Sequence, residues 1–278
     1  VSEDRVADAD PAHLVYSLVE EAGNGELAVR YRRGEGPAIV YLHGWGRSLG
    51  DFVGFLPRGQ QAAVALDLPG FGRSSAPSQA IGARGYAELL RVPFAKLRAR
   101  LGVDRMILVG HSLGGRIAAE FAGIAGPDDG LAGLVLVASP ILRPPGGRSP
   151  LGYRLVRSLA GAHLLPAATL EWARGRWGSA DYREATGVMR EILVRMVNEE
   201  HVRPLARTDV AVELLWGERD SVSPVWLAER VAERVPAANL VVVPGVGHDV
   251  PREAPAEVWA AVERVLARAG AQDGGADA

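Results

Sequence analysis

Two pentapeptides could carry chemistry: GRSLG at 46–50 and GHSLG at 110–114. Both fit Gly-x-Ser-x-Gly, in which a sharp turn presents a serine hydroxyl as a nucleophile. Chance alone yields roughly 0.2 such matches in a chain this rich in glycine, so the pattern cannot choose between them. A serine hydroxyl attacks only if a base takes its proton, and the base needs a carboxylate to orient it. The later part of the chain supplies both, Asp220 in WGERD and His248 in GVGHD. The order Ser112, Asp220, His248 points to acyl transfer. Glu218 is the second choice for the acid, and Asp249 a poor one. Developing negative charge on the substrate needs backbone N–H donors. Leu113, just after the serine, and Trp45 in HGWG are the expected pair.

The elements around each serine decide between them. A nucleophile turn needs a strand immediately before it and a helix immediately after. MILVG precedes Ser112 with one residue between, and LGGRIAAEF follows it as a helical pattern. Ser48 stands four residues beyond its strand, before a weak short helix, so GRSLG is read as an accident. DRMILVG, LAGLVLVASP, VAVELLWG and NLVVVPG are short apolar runs separated by helical patterns. That alternation predicts an α/β fold with a mostly parallel sheet of about eight strands. HLVYSLVEEAGNGELAVRYRRG reads as a hairpin around Gly23-Asn24-Gly25. Residues 83–101 read as a helix that Pro93 kinks or splits. Asp220 and His248 fall in loops after strands, on the same sheet edge as Ser112, where ligands of open α/β sheets bind.

The rhythm breaks over 141–209, which has helical patterns and no convincing strand. The division is therefore a core at 1–140 and 210–270, a helical insertion at 141–209, and a disordered tail at 271–278. Trp172, Trp177, Tyr182, Met189 and Met196 of the insertion, with His43 and His111, are candidates for a substrate pocket. Arg116 is expected in a structural ion pair rather than on a substrate.

Composition narrows the classes. The net charge of −2 carries no basic block, which argues against a nucleic-acid partner. There is no cysteine, so disulfides, thiol catalysis and Cys-ligated metal are excluded. No apolar run approaches a membrane span. The start VSEDRVADADPAH is polar and acidic, unlike a signal peptide, so a cytoplasmic protein is expected, monomeric or homodimeric.

HGWG, DLPGFGRS, GHSLGG, WGERD and GVGHD, in that order, resemble the α/β-hydrolase superfamily over 14–140 and 210–270. The resemblance implies a doubly wound sheet, a helical cap formed by 141–209, and hydrolysis of a small carboxylic ester without metal or cofactor. Epoxide hydrolases and haloalkane dehalogenases share a DLPGFGRS-like loop but place Asp where Ser112 stands. Ring-cleavage C–C hydrolases usually carry Asn at the position of His111. HGWG with DLPGFGRS also resembles pimeloyl-ACP methyl ester esterases, which have Trp at that position. The strand at 210 lacks the Pro commonly found before it. Two rival readings stay open: C–C hydrolysis of a vinylogous diketone, and a non-catalytic ligand receptor or scaffold.

Overall fold

A computed structural model describes residues 4–6, 15–22, 25–143, 166, 169 and 180–274. Among the described residues, nine strands form one sheet in the order β1-β2-β3-β5-β4-β6-β7-β8-β9. They are β1 (Asp4–Val6), β2 (Val15–Ala22), β3 (Gly25–Arg32), β4 (Glu35–Leu42), β5 (Gln61–Leu66), β6 (Met106–His111), β7 (Leu131–Val137), β8 (Ala211–Gly217) and β9 (Ala238–Val243). β1, β2, β3 and β5 pair antiparallel in turn, and every pair from β5 through β4 to β9 is parallel. The strand beyond the expected eight is β1, three residues whose acidic surroundings give no alternating pattern. Ala22 pairs with Gly25 in the antiparallel hairpin expected there, and residues 23 and 24 lie outside the described residues.

The central strands are mostly apolar because both of their faces are covered. Ala38, Val40 and Leu42 of β4 and Leu108 of β6 pack with α1 (Ala83–Leu101) and α2 (Leu113–Ile124). Ile39, Tyr41, Ile107 and Val109 face the other way. There they meet Val258, Ala261, Val262, Val265 and Ala269, a 3.6-period stripe on the last helix, which runs from Pro255 to Gly274. Each buried valine of that stripe contributes about 1.5–3 kcal/mol.

Two expectations change. Pro93 does not split α1, which is continuous from Ala83 to Leu101 and ends at Gly102 in the left-handed conformation. Pro93 lies among buried Leu90, Phe94 and Leu97, whose packing outweighs the roughly 3 kcal/mol that an internal proline costs. The last helix reaches Gly274, four residues into the expected tail, because Ala271 and Gln272 are good helix formers.

Residues 180–205 of the β7–β8 connection hold three helices: α3 (Ala180–Glu184), α4 (Gly187–Met196) and α5 (Val202–Leu205). Ile192, Met196 and Leu205 join the core cluster of α1 and α2. The return at 195–201 is fastened several times. Arg116 donates to the Met196 carbonyl (2.9 Å), Glu199 accepts from Ala83 N–H (2.9 Å), and His201 Nδ1 meets Glu120 (2.8 Å). Burial pulls the Arg116 guanidinium down to about 10. In place of the expected ion pair, Arg116 caps the C-terminal end of α4, where unpaired carbonyls attract cations. The remaining α-helices among the described residues are α6 (Val225–Ala232), α7 (Val250–Glu253) and the last, α8.

Candidate active site

The elbow is built by close backbone approach. β6 ends at His111, and Ser112 N–H donates to the Val137 carbonyl of β7 (2.9 Å). Ser112 has φ 50° and ψ −106°, a strained conformation for a residue with a side chain. Gly110 and Gly114 make the turn possible. A Cβ on Gly110 would overlap the Gly114–Gly115 peptide, and one on Gly114 would overlap the Leu42 carbonyl of β4. The strain thus sits at the one serine that both strand and helix predict.

His248 and Asp220 arrive from two later loops. Ser112 Oγ lies 3.2 Å from His248 Nε2, and His248 Nδ1 lies 2.8 Å from Asp220 Oδ2. The Asp220 side chain is fully buried. Its Oδ1 accepts from Val222 N–H (2.8 Å) and Ser223 N–H (2.7 Å), so DSVS folds back onto its own carboxylate. Glu218 points elsewhere and accepts from Gly245 N–H (2.8 Å).

Trp45 follows β4, and Leu113 opens α2. Among the described residues neither backbone N–H has a partner within the protein. The two free donors stand beside the half-buried Ser112, and the first N–H groups of a helix favour negative charge. Ser48, in contrast, uses its Oγ to accept from Gly50 N–H (3.3 Å) at the start of a short 3₁₀ turn.

His43 and His111 do not present a wall to a substrate, contrary to expectation. His43 is 0% exposed and His111 4%. His43 Nε2 accepts from Leu68 N–H (2.9 Å), so Nδ1–H donates to the Gly44 carbonyl (2.7 Å). It is a neutral strut under the Trp45 loop, and burial lowers its pKa. His111 Nε2–H donates to the His248 carbonyl (3.0 Å). Burial, and then the neighbouring His248, push His111 down to about 4.

Met189 of α4 lies directly over Gly70. Phe71, next in that loop, stacks edge-on against Trp45 with ring centroids 4.9 Å apart. Phe71 stands inside DLPGFGRS, where its residue type alone gives no sign of this contact. Tyr182 is buried under Arg190 (5.3 Å to the ring). Trp172 and Trp177 lie outside the described residues. Among the described residues, no group of three or more His, Asp or Glu is placed to hold a metal ion, and no helix is long and apolar enough to cross a membrane.

Residues 39–261 match the model of the alpha/beta hydrolase family. The chain belongs to that family. A pimeloyl-[acyl-carrier protein] methyl ester esterase of Aromatoleum aromaticum is 30% identical over 243 residues, covering 76% of this hydrolase and 91% of the relative. A thermophilic esterase from Thermogutta terrifontis superposes with a TM-score of 0.61 at 22% identity, covering 91% of this chain and 98% of the other. The N-acyl homoserine lactonase AidH, complexed with N-butanoyl homoserine, gives 0.65 at 22% identity, covering 91% and 97%. At that identity the two structures speak for the fold alone.

Proposed function

We propose that this hydrolase cleaves carboxylic esters through an acyl-enzyme on Ser112. One observation carries the reading: Ser112 Oγ, His248 and Asp220 form a continuous relay at 3.2 and 2.8 Å, beside two unpartnered N–H groups. His248 Nε2 takes the Ser112 proton as Oγ attacks the ester carbonyl. The N–H groups of Trp45 and Leu113 receive the developing oxyanion. His248 then returns the proton to the leaving alcohol. Water, deprotonated by the same imidazole, releases the acid. Asp220 holds the imidazole with Nδ1 protonated and stabilises its charge. The Trp45–Phe71 pair and Met189 offer an apolar wall beside the oxyanion donors, suited to an apolar part of the substrate. The ester chemistry named for the Aromatoleum relative supports the same reaction class.

Ser112→Ala tests the reading. Turnover of a p-nitrophenyl ester should fall by more than about a thousandfold. Fluorophosphonate labelling should disappear, and the melting temperature should stay within a few degrees. Undiminished turnover by this variant would refute it.

A further inference from the structure

Arg47 belongs to GRSLG, the pentapeptide without a nucleophile. Its N–H closes a turn onto the Gly44 carbonyl (3.3 Å), so Arg47 rides on the loop that carries Trp45. The guanidinium holds two carboxylates. Nε and Nη2 grip Asp51 at 2.6 and 3.0 Å, and Nη2 also reaches both oxygens of Asp249, at 3.1 and 3.0 Å. Asp249 directly follows His248 and lies 202 residues from Arg47 in sequence. It stands at the start of α7, yet its side chain caps no helix N–H.

The loop 244–249 has other fastenings. Gly245 N–H donates to Glu218, Arg219 N–H to the Val246 carbonyl, and Gly247 N–H to Glu253, all at 2.8 Å. Those contacts fix the loop against β8 and α7. Two more reach across the site. His111 ties the His248 carbonyl to the strand that ends at Ser112, and Arg47 ties Asp249 to the loop of Trp45. The first sets the base against the nucleophile. The second sets it against the oxyanion donor.

We propose that the Arg47–Asp249 ion pair is a positioning brace that holds His248 at a constant separation from the Trp45 N–H. Base and oxyanion donor must address the same ester carbonyl, and small displacements of such groups cost rate steeply. The two side chains are 28% and 30% exposed, and a pair so exposed is worth little to stability. Its loss should therefore appear in turnover, not in melting.

The proposal rests on Ser112 and His248 acting as nucleophile and base. The test compares wild type with Arg47→Ala, Arg47→Lys, Asp249→Ala, the double alanine variant and Ser112→Ala. Readouts are kcat and KM on p-nitrophenyl acetate, the rate of fluorophosphonate labelling, and the melting temperature. Each single alanine variant should lose about tenfold in kcat and in labelling rate, with KM within about twofold. The double variant should be no worse than the poorer single, because the two residues act as a unit. Arg47→Lys should recover part of the loss. Asp249→Ala leaves the Arg47–Asp51 pair in place and carries the test even if Arg47→Ala fails to fold. Single variants with wild-type kcat, losses that multiply in the double variant, or a change confined to KM would each overturn the brace. An inactive Ser112→Ala beside a full-rate Asp249→Ala removes the brace alone, whereas an active Ser112→Ala removes the esterase reading itself.

Discussion

Replacing Asp220 by asparagine changes one atom and should nearly silence the site. Oδ1 of Asp220 accepts from two backbone donors, Val222 and Ser223 N–H, at 2.8 and 2.7 Å. An asparagine must keep its carbonyl oxygen there, because an NH₂ group would face two donors. Its Nδ2 is then forced into the place of Oδ2, 2.8 Å from His248 Nδ1. A donor facing that nitrogen drives the imidazole into the tautomer protonated on Nε2. That nitrogen lies 3.2 Å from Ser112 Oγ and can no longer accept its proton. The expected loss in kcat is about 10⁴-fold, near 5.4 kcal/mol in activation free energy. The assay is steady-state hydrolysis of a p-nitrophenyl ester at pH 7.5, with thermal melting alongside. A variant within tenfold of wild type, well folded, would refute the reasoning.

Other outcomes follow from buried groups. His111 binds a proton in the unfolded chain near pH 6.5 but in the fold only near about 4, so the unfolded state holds more protons between those values. Its contribution to stability is therefore full above about pH 6.5 and falls by roughly 3 kcal/mol by pH 4. Urea denaturation across that range should show a shallower decline for His111→Gln, and an unchanged slope would contradict the assignment. Glu213 is fully buried and accepts from Arg264 (2.6 Å), Arg268 (2.5 Å) and Asn239 (2.9 Å). Glu213→Ala should lose about 3–5 kcal/mol of stability by denaturant titration, while kcat per folded molecule holds. Ser48→Ala should keep kcat within about twofold and lower stability by about 1 kcal/mol at most, as expected for a serine that caps a turn.

What the sequence showed was local. GHSLGG carries its strand before and its helix after, and close backbone packing leaves glycines as a visible trace at 110 and 114. Asp220 and His248 could be placed because parallel strands deliver successive loops to one edge of the sheet. The tasks of His43 and His111 could not be read, because a ring nitrogen bonded to a backbone carbonyl leaves no pattern in residue types. β1 escaped because three residues carry no period. Pro93 does not split α1, because its local preference is outweighed by the buried face of that helix. Arg47 was invisible for a topological reason: its partner lies 202 residues downstream, and only the assembled sheet brings them together.

The fastening of the β7–β8 connection at 195–201 has a practical consequence for building chimaeras. Glu199, His201 and the Met196 carbonyl clasp α1 and α2 directly, and α2 is the helix that carries Ser112 at its head. A foreign segment spliced in with its downstream joint after residue 201 would lose those clasps and disturb the support of Ser112. With the joint placed before Arg195, the clasps stay with the host, and the support of Ser112 is left as it is.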